Sequence, residues 1–209
     1  MRLHLKRRFF VKKKMDLSSR QLLDELLREA RKMEAQTAEL RNANATRLHQ
    51  RPSPQGWNAL ECLEHLNLTY DYYLPQLEKA IGKAKDKGWK PESNYQPGFL
   101  GKKMIESVRP GDKGKIGMKM KTFKRTTPAI EGRPAEITIN RFLIHHRQFI
   151  QLIEAGRGVN LQRPRVTSLI GPALRFRLGD ALRFLQAHNE RHWLQLERAM
   201  GKAQVGEAV

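Results

Sequence analysis

Four stretches of the chain place apolar side chains three or four residues apart, the spacing that puts them on one face of an α-helix. Prolines, glycines and charged residues interrupt this pattern between the stretches. The predicted helices run from about residue 16 to about His49, from Trp57 to about Lys85, from Ile137 to about Ala155, and from Leu178 to Met200. Pro75 lies inside the second stretch and predicts a kink or a break there.

Two long connections separate these helices. Residues 86–136 are rich in glycine, proline and lysine and are too long for an ordinary connector, and residues 159–180 form the second connection. Four amphipathic helices with two long crossings predict an all-α fold, a four-helix bundle with a long basic crossover between helices 2 and 3. We therefore divide the chain into a basic N-terminal arm at 1–15, the bundle at 16–201 and a loose C-terminal tail at 202–209.

The cysteine and apolar content narrows the class of protein further. The 209-residue chain contains one cysteine, Cys62, which rules out a disulfide within the chain and a cysteine-rich zinc site. We expect Cys62 to be a small buried hydrophobe. No apolar run reaches the roughly 20 residues of a membrane helix, and the apolar cluster at residues 9–11 is too short for the core of a signal peptide. These features predict a cytoplasmic protein with no membrane partner.

The chain carries a formal net charge of +19. Such a charge attracts polyanions, so nucleic acid, anionic lipid and an anionic small substrate are all candidate partners. The lysines and arginines of the arm would release counterions on binding phosphate. Because the sequence contains no recognition-helix or RNA-binding signature, a nucleic-acid partner is the alternative and not the favoured hypothesis.

Two histidines of the fourth predicted helix, His188 and His192, are four residues apart and both occupy its apolar stripe. A zinc site needs imidazole nitrogens at about 2.0–2.1 Å from the ion, and three such ligands leave an open position. The third imidazole must come from a neighbouring helix, where His65 flanks the apolar stripe. The predicted ligands are therefore His65, His188 and His192; the competing interpretation is a set of partly buried histidines satisfied by hydrogen bonds.

Other polar residues close to this pattern have several candidate roles. Glu61 and Glu64 flank His65, and either one would orient a ligand ring or act as a catalytic base. His146 points inward on the third predicted helix, where it would be a fourth ligand, an acid–base group or a core residue. His145 faces away from that stripe and is expected at the surface.

Three segments resemble the DinB/YfiT-like superfamily. Residues 57–67, WNALECLEHLN, look like the start of the family's second helix, which begins with tryptophan and carries an E-x-x-x-H-L pattern. Residues 187–197, AHNERHWLQLE, preceded by Ile170-Gly171, are similar to its final helix with H-x-x-R-H-x-x-Q. Residues 119–124, KMKTFK, resemble the lysine and methionine stretch of its long crossover. The resemblance covers roughly Asp16 to Gly201.

That resemblance implies an up-down-down-up bundle that binds a divalent metal through His65, His188 and His192, and a homodimer formed through helix faces. Zinc or nickel is the expected ion, with iron or manganese as alternatives. The family includes thiol-dependent transferases that use a low-molecular-weight thiol, an isomerase acting on a thiol adduct, and proteins described as metal-dependent hydrolases. The sequence does not select among these reactions.

Two hypotheses about function follow. In the first, the chain is an enzyme in which the metal activates a water or a substrate thiol, and Lys119, Lys121 and Arg125 hold an anionic cosubstrate. In the second, it is a non-enzymatic metal-bound helical protein that binds nucleic acid or another polyanion through its basic surface.

Overall fold

The computed structural model describes residues 17–110 and 122–201. The arm at 1–15, the tail at 202–209 and the crossover residues Lys119 and Lys121 lie outside the described residues. Within these ranges the chain forms six α-helices, α1 to α6, at Ser19–Glu39, Ala45–His49, Ala59–Asp86, Phe99–Val108, Ala135–Ala155 and Leu178–Ala199. Four strands, β1 to β4, span Leu17–Ser18, Asn94–Tyr95, Arg165–Ser168 and Gly171–Arg177.

The four long helices α1, α3, α5 and α6 enclose most of the core. Helix α3 packs along both α5 and α6, and α1 packs against the same two helices. The predominantly helical fold that the apolar spacing predicts is thus confirmed. The largest fully buried aromatic side chains are Tyr70, Tyr73, Tyr95, Phe142, Phe149 and Phe176.

Local hydrogen bonds set both ends of α3. The Asn58 side chain accepts from the backbone N–H of Glu61, and the Glu61 carboxylate accepts from the backbone N–H of Asn58, which forms a capping box. Beyond the other end, Gly88 takes a φ of 60°, a left-handed conformation that favours glycine after a helix. The helix is continuous through Pro75, so the break considered from the sequence does not occur.

The first helix is shorter than its apolar pattern predicts. Helix α1 ends at Glu39 and is followed by a 3₁₀ turn at Leu40–Asn42, after which Ala43 is extended. The Asn44 side chain then accepts from the backbone N–H of Thr46 at 2.8 Å and starts the separate helix α2. The asparagine cap therefore divides one predicted helix into two.

Both long connections contain ordered structure. Helix α4 lies in the first connection and packs against α6, and β2 pairs antiparallel with β1. In the second connection β3 and β4 form an antiparallel hairpin in which Val166 is opposite Phe176. Both of these side chains are buried, and they attach the hairpin to the core. Phe176 is the only buried residue of β4.

One series of hydrogen bonds, here called the central polar chain, joins all four long helices. His146 on α5 donates from Nε2 to the carbonyl of Ala30 on α1 at 2.8 Å, and the Tyr70 hydroxyl on α3 donates to His146 Nδ1 at 2.7 Å. Asn189 on α6 donates its amide to the Tyr70 oxygen at 2.6 Å. Burial lowers the pKa of His146 to about 4, so its ring is neutral and can both donate and accept. Each helix therefore contributes one member.

Replacing Tyr70 by phenylalanine should destabilise the fold. The substitution leaves the buried Nδ1 of His146 and the amide of Asn189 without a partner, and an unsatisfied buried polar group costs about 1–3 kcal/mol. We expect the free energy of unfolding, measured by urea denaturation, to fall by about that amount. Tyr72→Phe is the matched control, because the half-buried Tyr72 hydroxyl donates only to the carbonyl of Ser168. Equal losses in both variants would contradict the role of the central polar chain.

Candidate metal centre

Helices α3 and α6 bring three histidines together. His65 comes from α3, and His188 and His192 come from adjacent turns of α6. One ring nitrogen from each of them lies within 4.8 Å of the other two. The ring centroids are 4.4 to 5.1 Å apart. The structure therefore places the three predicted ligands in one cluster.

The distance between two ring nitrogens of the cluster matches the separation of two ligands on one metal ion. Nε2 of His65 and Nε2 of His188 are 3.3 Å apart. Two tetrahedral ligands at 2.0–2.1 Å from a zinc ion would be separated by about 3.3–3.4 Å. The cluster thus has the donor type and the spacing that fit a divalent ion.

A backbone carbonyl orients the first imidazole. Nδ1–H of His65 donates to the carbonyl of Thr126 at 2.7 Å, so that Nε2 keeps its lone pair and faces His188. Thr126 is buried at the end of a 3₁₀ turn, Lys124–Thr126, in the crossover between α3 and α5. Metal-binding histidines commonly donate a hydrogen bond from the ring nitrogen that does not bind the metal. The crossover supplies the acceptor of that bond for His65.

The two histidines of α6 differ in their partners. Nδ1–H of His192 donates to the side-chain oxygen of Gln195 at 3.0 Å, one turn further along the helix. Nδ1 of His188 is buried and has no hydrogen-bond partner in the described part of the chain. A hydrogen bond to Gln195 thus orients the ring of His192, just as the bond to Thr126 orients the ring of His65. The ring of His188 is held by packing alone.

Burial keeps all three rings neutral. It lowers the pKa of His65 to about 4, although the hydrogen bond to Thr126 acts in the opposite direction. Burial also lowers the pKa of His188 and of His192 well below the usual value, and the neighbouring imidazoles and Arg191 add to that effect. A neutral imidazole is the form that binds metal, so no proton has to be displaced near neutral pH.

Aromatic side chains surround the imidazoles. The ring of Trp57 lies 5.0 Å from that of His65 and stacks on His192 at 6.0 Å, and Phe184 stacks on His188 at 5.8 Å. Trp57 is half-buried, so it borders the exposed side of the cluster. These rings restrict the access of water and fix the orientations of the imidazoles.

The contacts of Glu61 and Glu64 show what each carboxylate does in the fold. Glu61 closes the capping box of α3 and also pairs with Arg51 at 2.6 Å. Glu64 is buried and accepts from Arg133 at 2.6 Å and from Arg141 at 2.9 Å. These contacts support structural roles; action of either residue as a base stays a prediction.

Three other residues considered from the sequence lie elsewhere. Both ring nitrogens of His146 belong to the central polar chain, which leaves no nitrogen for a metal and makes this histidine a core residue. The side chain of His145 is only 17% exposed and lies 3.4 Å from Asp71, so the expected surface position is wrong. Cys62 is buried as expected, and burial raises the pKa of its thiol.

The sequence did not show which groups orient the ligands. Gln195 is the last residue of the H-x-x-R-H-x-x-Q pattern but had no predicted role, although its position three residues after His192 brings the two helical side chains together. Thr126 acts through its backbone carbonyl, so no residue type marks it. Trp57 was noted only as the start of a helix, since its contact with His65 and His192 depends on the packing of α3 against α6.

Fold and site together define a helical protein with a three-histidine candidate metal centre between two of its long helices. A comparison with protein families matches residues 19–196 to the DinB superfamily, and the chain belongs to that superfamily. Searches of curated proteins and of solved structures found no match. Among residues 17–110 and 122–201, no helix is both long and apolar enough to cross a membrane.

Replacing Gln195 by leucine should weaken metal binding without unfolding the chain. The variant removes the acceptor that holds the His192 ring, and loss of such a partner typically lowers metal affinity about 10–100-fold. Competition for zinc with a chromophoric chelator measures the change. Gln195→Glu keeps an acceptor at this position and should retain the affinity; wild-type affinity in Gln195→Leu would contradict the orienting role.

Proposed function

We propose that the chain binds one divalent metal ion through His65, His188 and His192 and uses it as a metal-dependent hydrolase or a thiol-dependent S-transferase. The convergence of three neutral imidazoles within 4.8 Å carries this proposal. Membership of the DinB superfamily supports it. Zinc or nickel is the first candidate because both accept imidazole ligands, and iron or manganese are the alternatives. We also propose the up-down-down-up order for α1, α3, α5 and α6.

The number of ligands favours a catalytic centre over a purely structural one. Structural zinc sites usually have four protein ligands, whereas catalytic sites have three and an open position. When bound, the ion would supply Lewis-acid chemistry, lowering the pKa of a water or thiol toward neutrality. The protein contributes the carbonyl of Thr126 and the amide of Gln195, which hold the rings, and the rings of Trp57 and Phe184, which restrict water.

Of the three crossover cations predicted to hold an anionic substrate, Arg125 lies within the described residues. It immediately precedes Thr126, whose carbonyl contacts His65, and it is exposed. Its guanidinium carbon lies 5.7 Å from the centre of the Tyr72 ring, and this contact restrains the arginine side chain. A carboxylate or phosphate of a small substrate, including an anionic low-molecular-weight thiol, could pair with it there.

A homodimer formed through helix faces is also proposed. Ile137 and Ile144 are two turns apart on α5 and are 54% and 64% exposed, which supports an apolar contact surface on this helix. Sedimentation equilibrium would exclude the dimer if it gave the mass of one chain, 24.2 kDa.

Metal analysis of protein purified without an affinity tag tests the ligand set. We expect about one divalent ion per chain in the wild type and its loss in the His188→Ala, His192→Ala double variant, because one imidazole alone binds weakly. His49→Ala is the matched control, since His49 is exposed at the end of α2. A metal-free wild type that binds DNA tightly in a salt-dependent way would contradict the proposed metal-dependent enzyme.

Steady-state kinetics with anionic thiols and hydrolysable esters tests the reaction. Activity should require the metal and vanish in the double variant. Arg125→Ala should raise the KM for an anionic substrate about tenfold while kcat changes less, because a charge-assisted hydrogen bond contributes roughly that much binding. Catalysis that survives complete metal removal would contradict the proposed function.

A further inference from the structure

The indole of Trp57 lies between two of the clustered histidines and solvent. Trp57 belongs to the loop that joins α2 to α3, and its ring is tilted against that of His65 and stacks on that of His192. His65 and His192 are only 6% and 8% exposed, whereas Trp57 is half-buried. A molecule that approaches these two imidazoles from the side of the loop therefore meets the indole first.

The guanidinium group of Arg51 ties the chain on both sides of this tryptophan. Its Nη1 donates to the carbonyl of Gly56, the residue before Trp57, at 2.8 Å. Its Nη2 donates to Oε1 of Glu61 in the first turn of α3 at 2.6 Å, while the other oxygen of that carboxylate closes the capping box. Because the guanidinium is planar and rigid, these two bonds fix the peptide that leads into Trp57 relative to the helix that follows it.

The loop that carries Trp57 is itself tightly closed. The backbone N–H of Gly56 donates to the carbonyl of Ser53 at 2.9 Å. A Cβ added to Gly56 would lie 2.8 Å from Cγ of Pro52 and 2.9 Å from Oγ of Ser53, which is closer than side chains normally pack. Pro52 and Pro54 fix their own φ angles, which reduces the number of conformations open to the loop. The compact turn and the arginine together hold Trp57 in one position.

The ion pair of Arg51 and Glu61 is too exposed to contribute much to the stability of the whole fold. The side chain of Arg51 is 43% exposed, and ion pairs of exposed residues add little to the free energy of folding. The capping box is formed by Asn58 and Glu61, so the start of α3 does not depend on the arginine. The main effect of Arg51 is therefore local: it sets the direction in which the loop enters the helix.

We propose that Arg51 is a positioning residue that holds Trp57 across an approach to the metal ion, so that Trp57 selects the ligands of the ion by size; this rests on the proposed metal centre. The open coordination position then accepts a water, a small anion or a slim aliphatic thiol, whereas a bulky aromatic thiol collides with the indole. Neither residue takes part in bond making. Arg51 acts through Trp57, and Trp57 acts through its bulk.

Two-dimensional ¹H–¹⁵N NMR of the metal-free full-length chain tests the positioning role independently of the metal. The indole resonance of Trp57 is identified by its loss in Trp57→Phe. We expect Arg51→Met to shift or broaden this resonance and to leave that of Trp89, at the other end of α3, in place. Arg147→Met is the matched control, because it removes an ion pair of the same length, 2.6 Å, between α5 and α1. An unchanged Trp57 resonance in Arg51→Met, or an equal change in Arg147→Met, would overturn the positioning role.

Visible spectroscopy of the cobalt(II)-loaded chain tests the selection by size without any turnover. The affinities of 2-mercaptoethanol and of thiophenol are measured by titration, and their ratio is compared between variants so that the different acidities of the two thiols cancel. We expect the preference for the aliphatic thiol to fall about tenfold in Trp57→Ala, because the collision with the indole is removed, and to fall by a smaller factor in Arg51→Met.

Three outcomes separate this proposal from the metal centre on which it rests. Cobalt absorption bands in Trp57→Ala show that the three-histidine cluster is intact, and Trp57→Leu, which keeps more of the packing, takes its place if the alanine variant loses cobalt. A ratio that stays at the wild-type value in the cobalt-loaded variant would overturn the selection by size. A wild type without cobalt bands would contradict the metal centre and the size selection together, whereas the NMR result on the metal-free chain still decides the role of Arg51.

Discussion

The hydrogen bonds that run from Ala30 through His146 and Tyr70 to Asn189 constrain how the four long helices pack. Apolar packing alone tolerates small rotations and shifts of a helix, whereas a buried polar atom loses its partner as soon as its helix turns. Bulk solvent does not reach these groups, because Tyr70, His146 and Asn189 are at most 1% exposed. The chain of bonds therefore favours one relative arrangement of α1, α3, α5 and α6.

The candidate metal centre depends on that arrangement. Asn189 follows His188 directly, so the bond from Asn189 to Tyr70 sets the rotation of α6 and with it the directions of His188 and His192. Tyr70 stands little more than one turn after His65 on α3, so the same bond positions the helix that carries the third imidazole. The rings are then held from outside by Thr126, Gln195 and the surrounding aromatic side chains. Because the three neutral imidazoles are already in position, the folded chain can bind an ion without rearrangement.

The sequence predicted the features that follow from periodicity. Apolar spacing located the long helices to within a few residues except at the end of α1, where the Asn44 cap intervenes. The spacing of His188 and His192 and the position of His65 beside the apolar stripe of its helix identified all three members of the cluster. The features that were missed depend on contacts between distant segments: the carbonyl of Thr126 reaches His65 across the fold, and the hairpin attaches through Phe176. His145 was misplaced because its contact with Asp71 depends on how α3 packs against α5, which the spacing of residues along α5 does not show.

The coordination of the bound ion is the central claim, and X-ray absorption spectroscopy of the zinc-loaded chain tests it most directly. The structure predicts a first shell of nitrogen and oxygen atoms at about 2.0–2.1 Å, with the outer-shell scattering of three imidazole rings. Cys62 is buried and is not a member of the cluster, so no sulfur should appear at about 2.3 Å. A spectrum without imidazole scattering, or one with a sulfur ligand, would contradict the assignment of His65, His188 and His192 as the metal ligands.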